Sequence, residues 1–309
     1  MELDAQIKQL ADNLPGGLTL PFGDPVTARE EFLRISVAGA TLVEPFELGE
    51  IRDLEIDGAD GRLPARLYKP ATDEASPLLL FLHGGGFVLG DLESYDMMCR
   101  ILCHRSGVEV LSVEYRVAPD HPWPAAADDA VAAARWTFEH ADEIGADRAR
   151  IAIGGDSAGG NLAAVAAQAL RGSEHSLAGQ LLIYPVVDFN NSYPSIEENA
   201  DAPLLNREVM VWFNGLYIGV DDDRSDPRIS PLLADDLSGL PPTLVVTAGF
   251  DPLRDQGDAY AEALKNAGVE VVHQRFPSLI HGFFGLGPLS KGADDAIREV
   301  CDALRDLLA

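Results

Sequence analysis

Apolar residues in this chain fall into short unbroken runs, separated by longer stretches with helical spacing. Residues 77–82, 151–154, 180–184 and 243–248 are almost wholly apolar, as expected of strands buried on both faces. Residues 51–56, 65–69, 108–114 and 269–276 complete a set of about eight strand candidates. Between them, 92–106, 124–139, 158–171, 252–267 and 292–308 repeat apolar positions with the period of amphipathic helices. Alternation of this kind predicts an α/β fold, with a mostly parallel central sheet flanked by helices on both faces. Ligands in such sheets bind beyond the carboxyl ends of the strands.

Two segments stand outside the alternation. Residues 1–45 include a helical stretch at 26–38, and residues 189–224 include an amphipathic helix at 208–217 rich in large apolar side chains. The expected organisation is a catalytic domain of 46–188 and 225–309. Segments 1–45 and 189–224 are expected to pack together as a helical cap over the site. No internal repeat or low-complexity segment interrupts this plan.

The strand at 151–154 runs into Gly155-Asp156-Ser157-Ala158-Gly159-Gly160 and then into a small-residue helix. A serine between glycines at a strand-to-helix turn is exposed at the mouth of the sheet, against the free N–H groups and positive dipole end of the helix. A side chain at Gly155 or Gly159 would crowd the turn. The plain alternative is a glycine-rich turn with an idle serine. Upstream, the strand at 77–82 ends in His83-Gly84-Gly85-Gly86-Phe87. Consecutive glycines let backbone amides approach a ligand closely, so the N–H groups of Gly85, Gly86 and Ala158 are candidates for an oxyanion hole.

A serine hydroxyl needs a base, usually histidine. Among seven histidines, His281 stands out because it follows a strand and precedes the last helix. His83 belongs to the glycine loop. His104, His121, His140, His175 and His273 read as helix-face, loop or strand positions. Asp251, just past the strand at 243–248, is the candidate to hold and stabilise the imidazole. Asp255 is the rival acid, better placed to support the loop or cap the next helix. Asp156 adjoins the nucleophile and reads as a hydrogen-bond acceptor that holds the turn.

With these blocks, and with Glu114-Tyr115-Arg116-Val117-Ala118-Pro119-Asp120-His121-Pro122, the chain resembles the hormone-sensitive-lipase-like esterases, the bacterial family IV branch of the α/β-hydrolases. The resemblance spans roughly residue 45 to the end. It implies an α/β-hydrolase fold, a Ser157–Asp251–His281 triad, an oxyanion hole at Gly85, Gly86 and Ala158, and a cap. It implies that the block at 114–122 is a structural hinge beneath the site, with Asp120 where the family commonly has glutamate. Self-association through the last strand is a further implication, so a homodimer is an expectation.

The expected activity is hydrolysis of short- to medium-chain carboxylic esters through an acyl-enzyme, with no metal or organic cofactor. Candidate pocket residues are Phe22, Phe87, Phe189, Leu204, Leu205, Trp212, Phe213, Ile280 and Phe284, which together predict an apolar pocket for a small-molecule ester. The same triad also serves amidases, formamidases and deacetylases. A ligand-binding member of the fold that does not hydrolyse is a third reading.

Charge narrows the partners. Fifty acidic residues oppose 23 basic ones, for a formal net charge of −27. That balance argues against nucleic acid and anionic membranes, and the apolar runs are too short to span a bilayer. Residues 1–10 carry Glu2, Asp4 and Lys8 and no apolar signal core. Cys99, Cys103 and Cys301 are few and odd in number, which fits a reducing compartment. A cytoplasmic location is therefore the expectation. Cys99, Cys103 and His104 lie close on one helix, but without a further cluster they read as packing rather than a metal site.

Overall fold

The computed structural model describes residues 2–14, 17–43, 46–72, 76–190 and 192–309. The strands are Glu50–Asp57 (β1), Arg62–Lys69 (β2), Leu78–Leu82 (β3), Glu109–Val113 (β4), Ile151–Asp156 (β5), Gly179–Ile183 (β6), Thr243–Phe250 (β7) and Val271–Ile280 (β8). Among the described residues they form one eight-stranded sheet in the order β1-β2-β4-β3-β5-β6-β7-β8. β2 runs antiparallel to β1 and β4, and the other pairs are parallel. Every residue of β3, β4, β5 and β6 is buried, whereas the outer strand β1 is largely exposed. The unbroken apolar runs therefore occupy the middle of the sheet, where helices cover both faces.

The α-helices are Ala5–Asn13 (α1), Pro25–Ala40 (α2), Asp96–Ser106 (α3), Ala125–Glu139 (α4), Ala141–Ile144 (α5), Ala158–Leu170 (α6), Pro194–Glu198 (α7), Arg207–Tyr217 (α8), Arg254–Asn266 (α9) and Lys291–Leu307 (α10). Two apolar clusters result. One joins α4, α6 and α9 through residues such as Ala130, Leu162 and Leu264. The other joins α3 and α10 through residues such as Leu102, Ile297 and Leu304.

Several boundaries differ from the sequence reading by a few residues, among them the start of β2 at Arg62 rather than 65 and of β8 at Val271 rather than 269, and three have a clear local reason. The helix expected from residue 92 starts at Asp96, because Asp91 and Ser94 cap each other's amides at 2.9 and 2.7 Å and hold the chain in a turn. The helix expected from 252 starts at Arg254, because the Asp251 carboxylate takes the Leu253 amide at 2.7 Å. The last strand continues past Phe276 to Ile280. Pro277 is tolerated there because β8 lies at the sheet edge.

Helix α1 was not anticipated. Asp4 caps it by accepting the amides of Gln6 and Ile7 at 3.1 and 3.0 Å. The Asp4 amide also donates to the Ser278 carbonyl of β8 at 2.9 Å, and Ile7 is buried beside α10. The start of the chain therefore docks on the body of the protein, at β8 and α10. The expected boundary between residues 45 and 46 touches Pro45, which lies outside the described residues.

Candidate active site

Ser157 occupies the turn between β5 and α6 with φ 53° and ψ −114°. That conformation costs a non-glycine residue about 1–3 kcal/mol and persists only where the surroundings impose it. Here they do. A side-chain carbon on Gly159 would fall on the Leu82 carbonyl, and one on Gly155 would meet the same carbonyl and the Gly159 backbone. The Ser157 amide is held by the Ile183 carbonyl at 2.8 Å.

His281 follows the last residue of β8, and Asp251 follows β7. The imidazole bridges the other two side chains. Its Nδ1–H donates to Asp251 Oδ2 at 2.9 Å. This leaves Nε2 as acceptor for the Ser157 hydroxyl, also at 2.9 Å. Asp251 and His281 are both buried. The second Asp251 oxygen is occupied by the Leu253 amide, which fixes the carboxylate plane, and the Tyr184 ring lies 4.6 Å from the imidazole, centroid to centroid. Asp255 turns away, accepting the Ser195 amide at 2.8 Å and pairing with Arg254 at 2.7 Å.

The glycine loop faces this triangle. Gly85, Gly86 and Phe87 have φ of 103°, 62° and 64°, a left-handed path that favours glycine. Among the described residues the amides of Gly85, Gly86 and Ala158 donate to no other group. The loop itself is pinned. His83 Nδ1 bonds the Gly84 carbonyl at 2.8 Å, Tyr115 donates to the His83 carbonyl at 2.7 Å, and the Ala118 amide donates to the Phe87 carbonyl at 2.8 Å. Burial drives the His83 pKa down to about 4, so this ring is neutral and structural. The segment at 114–122 thus lies under the loop, and Arg116 locks it to the buried Asp129 at 2.8 Å.

One polar contact in this region, that of Arg29, was not legible in the sequence, and a second, that of Asp156, was legible as an acceptor but not in its partners. Arg29 of α2 donates to the carbonyls of Val88 at 2.8 Å and Ala118 at 2.6 Å and pairs with Asp120 at 2.8 Å, fastening α2 to the loop. Asp156 accepts the Gly84 amide at 2.8 Å and the Tyr95 hydroxyl at 3.3 Å. Burial raises its pKa to about 6.

A cavity of about 430 Å³ opens on Ser157 and His281. Phe87, Phe189, Leu204, Leu205 and Phe213 line it. Phe22, Trp212, Ile280 and Phe284 do not. Phe22 is exposed and packs edge-on against Trp212 at 6.5 Å, whose indole N–H reaches the Gly23 carbonyl at 2.9 Å. Ile280 and Phe284 are buried in the core beside His281. Conversely, Phe32, Met97, Met98 and Leu286 line the cavity. The only signal of Phe32, Met97 and Met98 in the sequence was an apolar helix face, which reads equally well as core, and Leu286 fell between the elements the sequence predicts.

The remaining candidates sit elsewhere. Cys99 and Cys103 are buried in the core, and the His104 ring lies against Phe46 at 5.1 Å. Among the described residues no group of three or more His, Cys, Asp or Glu side chains is placed to hold a metal ion. Among them, too, no helix is long and apolar enough to cross a membrane.

A sheet of this order carrying a serine at the β5–α6 turn, an acid after β7 and a histidine after β8 defines a hydrolase of the α/β class. Residues 79–285 match the family described as alpha/beta hydrolase fold, and the chain belongs to that family, in its hormone-sensitive-lipase-like branch. Carboxylic ester hydrolase LipN of Mycobacterium tuberculosis is 47% identical over 263 residues, which cover 83% of this chain and 70% of the relative. Carboxylesterase NlhH of the same organism is 39% identical over 314 residues, covering 99% and 97%. Among solved structures, a hyperthermophilic esterase from the archaeon Pyrobaculum calidifontis superposes with a TM-score of 0.93 at 38% identity over 100% of both chains. The protein is a carboxylic ester hydrolase.

Proposed function

We propose that Ser157, Asp251 and His281 are the catalytic triad and act through an acyl-enzyme. The observation that carries this reading is the imidazole bridge, 2.9 Å to Ser157 Oγ and 2.9 Å to Asp251 Oδ2. His281 Nε2 takes the hydroxyl proton as Oγ bonds the ester carbonyl carbon. The carbonyl oxygen becomes an oxyanion on the free amides of Gly85, Gly86 and Ala158, at the N-terminus of α6. His281 then gives its proton to the departing alkoxide as the carbon–oxygen bond breaks. Water, deprotonated by the same nitrogen, releases the acid and restores Ser157. Asp251 holds the Nδ1–H tautomer and stabilises the imidazolium.

Segments 1–45 and 189–224 serve as the cap. The Leu20 amide donates to the Leu204 carbonyl at 3.0 Å, the Leu204 amide donates to the Leu18 carbonyl at 2.6 Å, and Trp212 joins Gly23. The apolar cavity they cover suits neutral small-molecule esters of short to medium acyl length. Three free, buried cysteines fit a reducing, cytoplasmic location. β8 lies at the sheet edge, open to a second copy of the chain as the family resemblance implies.

The test is hydrolysis of p-nitrophenyl esters by the wild type and Ser157→Ala. Loss of at least about 10⁴-fold in kcat with the fold retained is expected for a triad serine. Near-normal turnover by the variant would refute the assignment.

A further inference from the structure

An amide free to bind an oxyanion cannot also be tied to a protein acceptor, so a loop that offers such amides has to be held by other contacts. Hydrogen bonds hold this loop at His83, Gly84 and Phe87, and the Gly85 carbonyl accepts the Val88 and Leu89 amides at 3.1 and 2.8 Å. They leave Gly86 out. Among the described residues it makes no hydrogen bond through either its amide or its carbonyl. Phe87, next in line, keeps a φ of 64°, which a residue with a side chain holds only where its surroundings impose it.

Helix α8 supplies the missing contacts. Phe213 and Tyr217 lie one turn apart on its buried face, and they reach consecutive residues of the loop. A side-chain carbon on Gly86 would fall on the Phe213 ring, so that ring rests directly on the glycine. The Tyr217 ring stacks on the Phe87 ring at 3.8 Å, with the planes 1° apart. Phe189 completes the cluster at 6.0 Å from Phe87 and 6.3 Å from Tyr217. Tyr217 is itself fixed, because its carbonyl accepts the Trp123 amide at 2.9 Å. Trp123 stands a few residues beyond Ala118, whose amide holds the Phe87 carbonyl. Phe87 is therefore gripped twice, at its carbonyl by this segment and at its ring by a helix tied to the same segment.

Tyr217 is buried and does not line the cavity. Its hydroxyl has no hydrogen-bond partner among the described residues, so its ring is what it contributes. Resting on the triad and oxyanion hole proposed above, we infer that Tyr217 is a positioning residue for ester hydrolysis, setting through Phe87 where the Gly85 and Gly86 amides stand. Phe213 acts in the same way on Gly86, but it also lines the cavity, so Tyr217 is the clean probe. Helix α8 then governs the rate of the chemical step as well as covering the site.

Three variants test this. Tyr217→Met and Tyr217→Leu remove the aromatic plane, and Tyr217→Phe keeps it. Each is assayed on p-nitrophenyl acetate, with active sites counted by titration with a phosphonate so that only folded enzyme enters kcat. Each is also assayed for inhibition by a trifluoromethyl ketone, which reports the oxyanion directly. Ser157 Oγ bonds its carbonyl carbon, the hydroxyl proton passes to His281 Nε2, and the carbonyl oxygen becomes the anion. Displacing a positioned group by an ångström costs up to about a hundredfold, so Met and Leu at 217 are expected to lower kcat about ten- to a hundredfold. They should weaken the ketone by the same factor and leave KM within about twofold, the pattern of an interaction made only in the transition state. Tyr217→Phe should stay within about twofold of the wild type in all three quantities. Wild-type kcat in either non-aromatic variant, a fall in kcat without a fall in ketone affinity, or an equal loss in Tyr217→Phe overturns the inference and leaves the triad standing. Turnover that persists in Ser157→Ala refutes the triad instead. A wild type that neither hydrolyses the ester nor binds the ketone overturns both.

Discussion

The carboxylate of Asp156 accepts the Gly84 amide at 2.8 Å, tying the Ser157 turn to the glycine loop on the neighbouring strand. The two halves of the proposed oxyanion site come from different strand ends, β3 and β5, and this bond sets their separation. Asp156→Ala leaves the proposed triad intact but frees the loop. We expect kcat to fall about ten- to a hundredfold, less than the loss of an oxyanion donor outright. Steady-state kinetics on a soluble acetate ester measure it. Unchanged kcat would mean that Tyr115 and Ala118 hold the loop unaided.

The same carboxylate makes stability depend on pH. Burial raises its pKa from an ordinary 3.8 to about 6. The folded state therefore binds this proton more tightly than the unfolded state does. The contribution is full below about pH 4 and is lost as pH rises through about 6. Asp156→Asn removes that dependence while keeping an oxygen for the Gly84 amide. Relative to the variant, the wild type should lose on the order of 3 kcal/mol between about pH 4 and pH 7. Denaturant melts of both proteins across that range give the difference, in which all other groups cancel.

Burial also silences the thiols. It pushes the Cys103 and Cys301 pKa values up to about 12 and raises that of Cys99 as well. Thiolate, not thiol, is the reacting species. None of the three should react with an aromatic disulfide reagent in the folded protein, and all three should react once denaturant is added. A fast native phase would place a cysteine at the surface.

The acidic surface predicts a response to salt. A net charge of −27 repels itself, although local pairing offsets part of it, as where Arg66 meets Asp53, Glu93 and Asp96. Raising salt from about 0.1 M to about 1 M shortens the screening length from about 10 Å to about 3 Å. Tm should rise by several degrees, an effect consistent with adaptation to saline surroundings. A flat Tm would mean that the local pairs already neutralise the charge.

The glycine loop, Ser157 and Asp251 were readable because each follows a buried strand, and His281 because it follows the edge strand β8. Burial on both faces writes itself into sequence as an unbroken apolar run, and the residue after such a run stands at the carboxyl edge of the sheet. Strand β1 was readable only through Leu54 and Ile56, the half-buried and buried positions of an otherwise exposed strand. Helix α1 was not, because its stability comes from Ser278, Ser290 and Ile7 contacts across the whole length of the chain.

The cavity lining was the least legible part. Phe22, Trp212, Ile280 and Phe284 looked no different from Phe87 or Phe213, and Phe32 and Met98 looked like core. An apolar side chain reports that it avoids water, not whether another side chain or a substrate covers it. Local periodicity and turn chemistry determined the sheet, its helices and the strand ends where the polar groups stand. Only the tertiary packing of α1, α2 and α8 decided which apolar faces close on each other and which stay open beside Ser157, because that depends on shape complementarity between segments far apart in the chain.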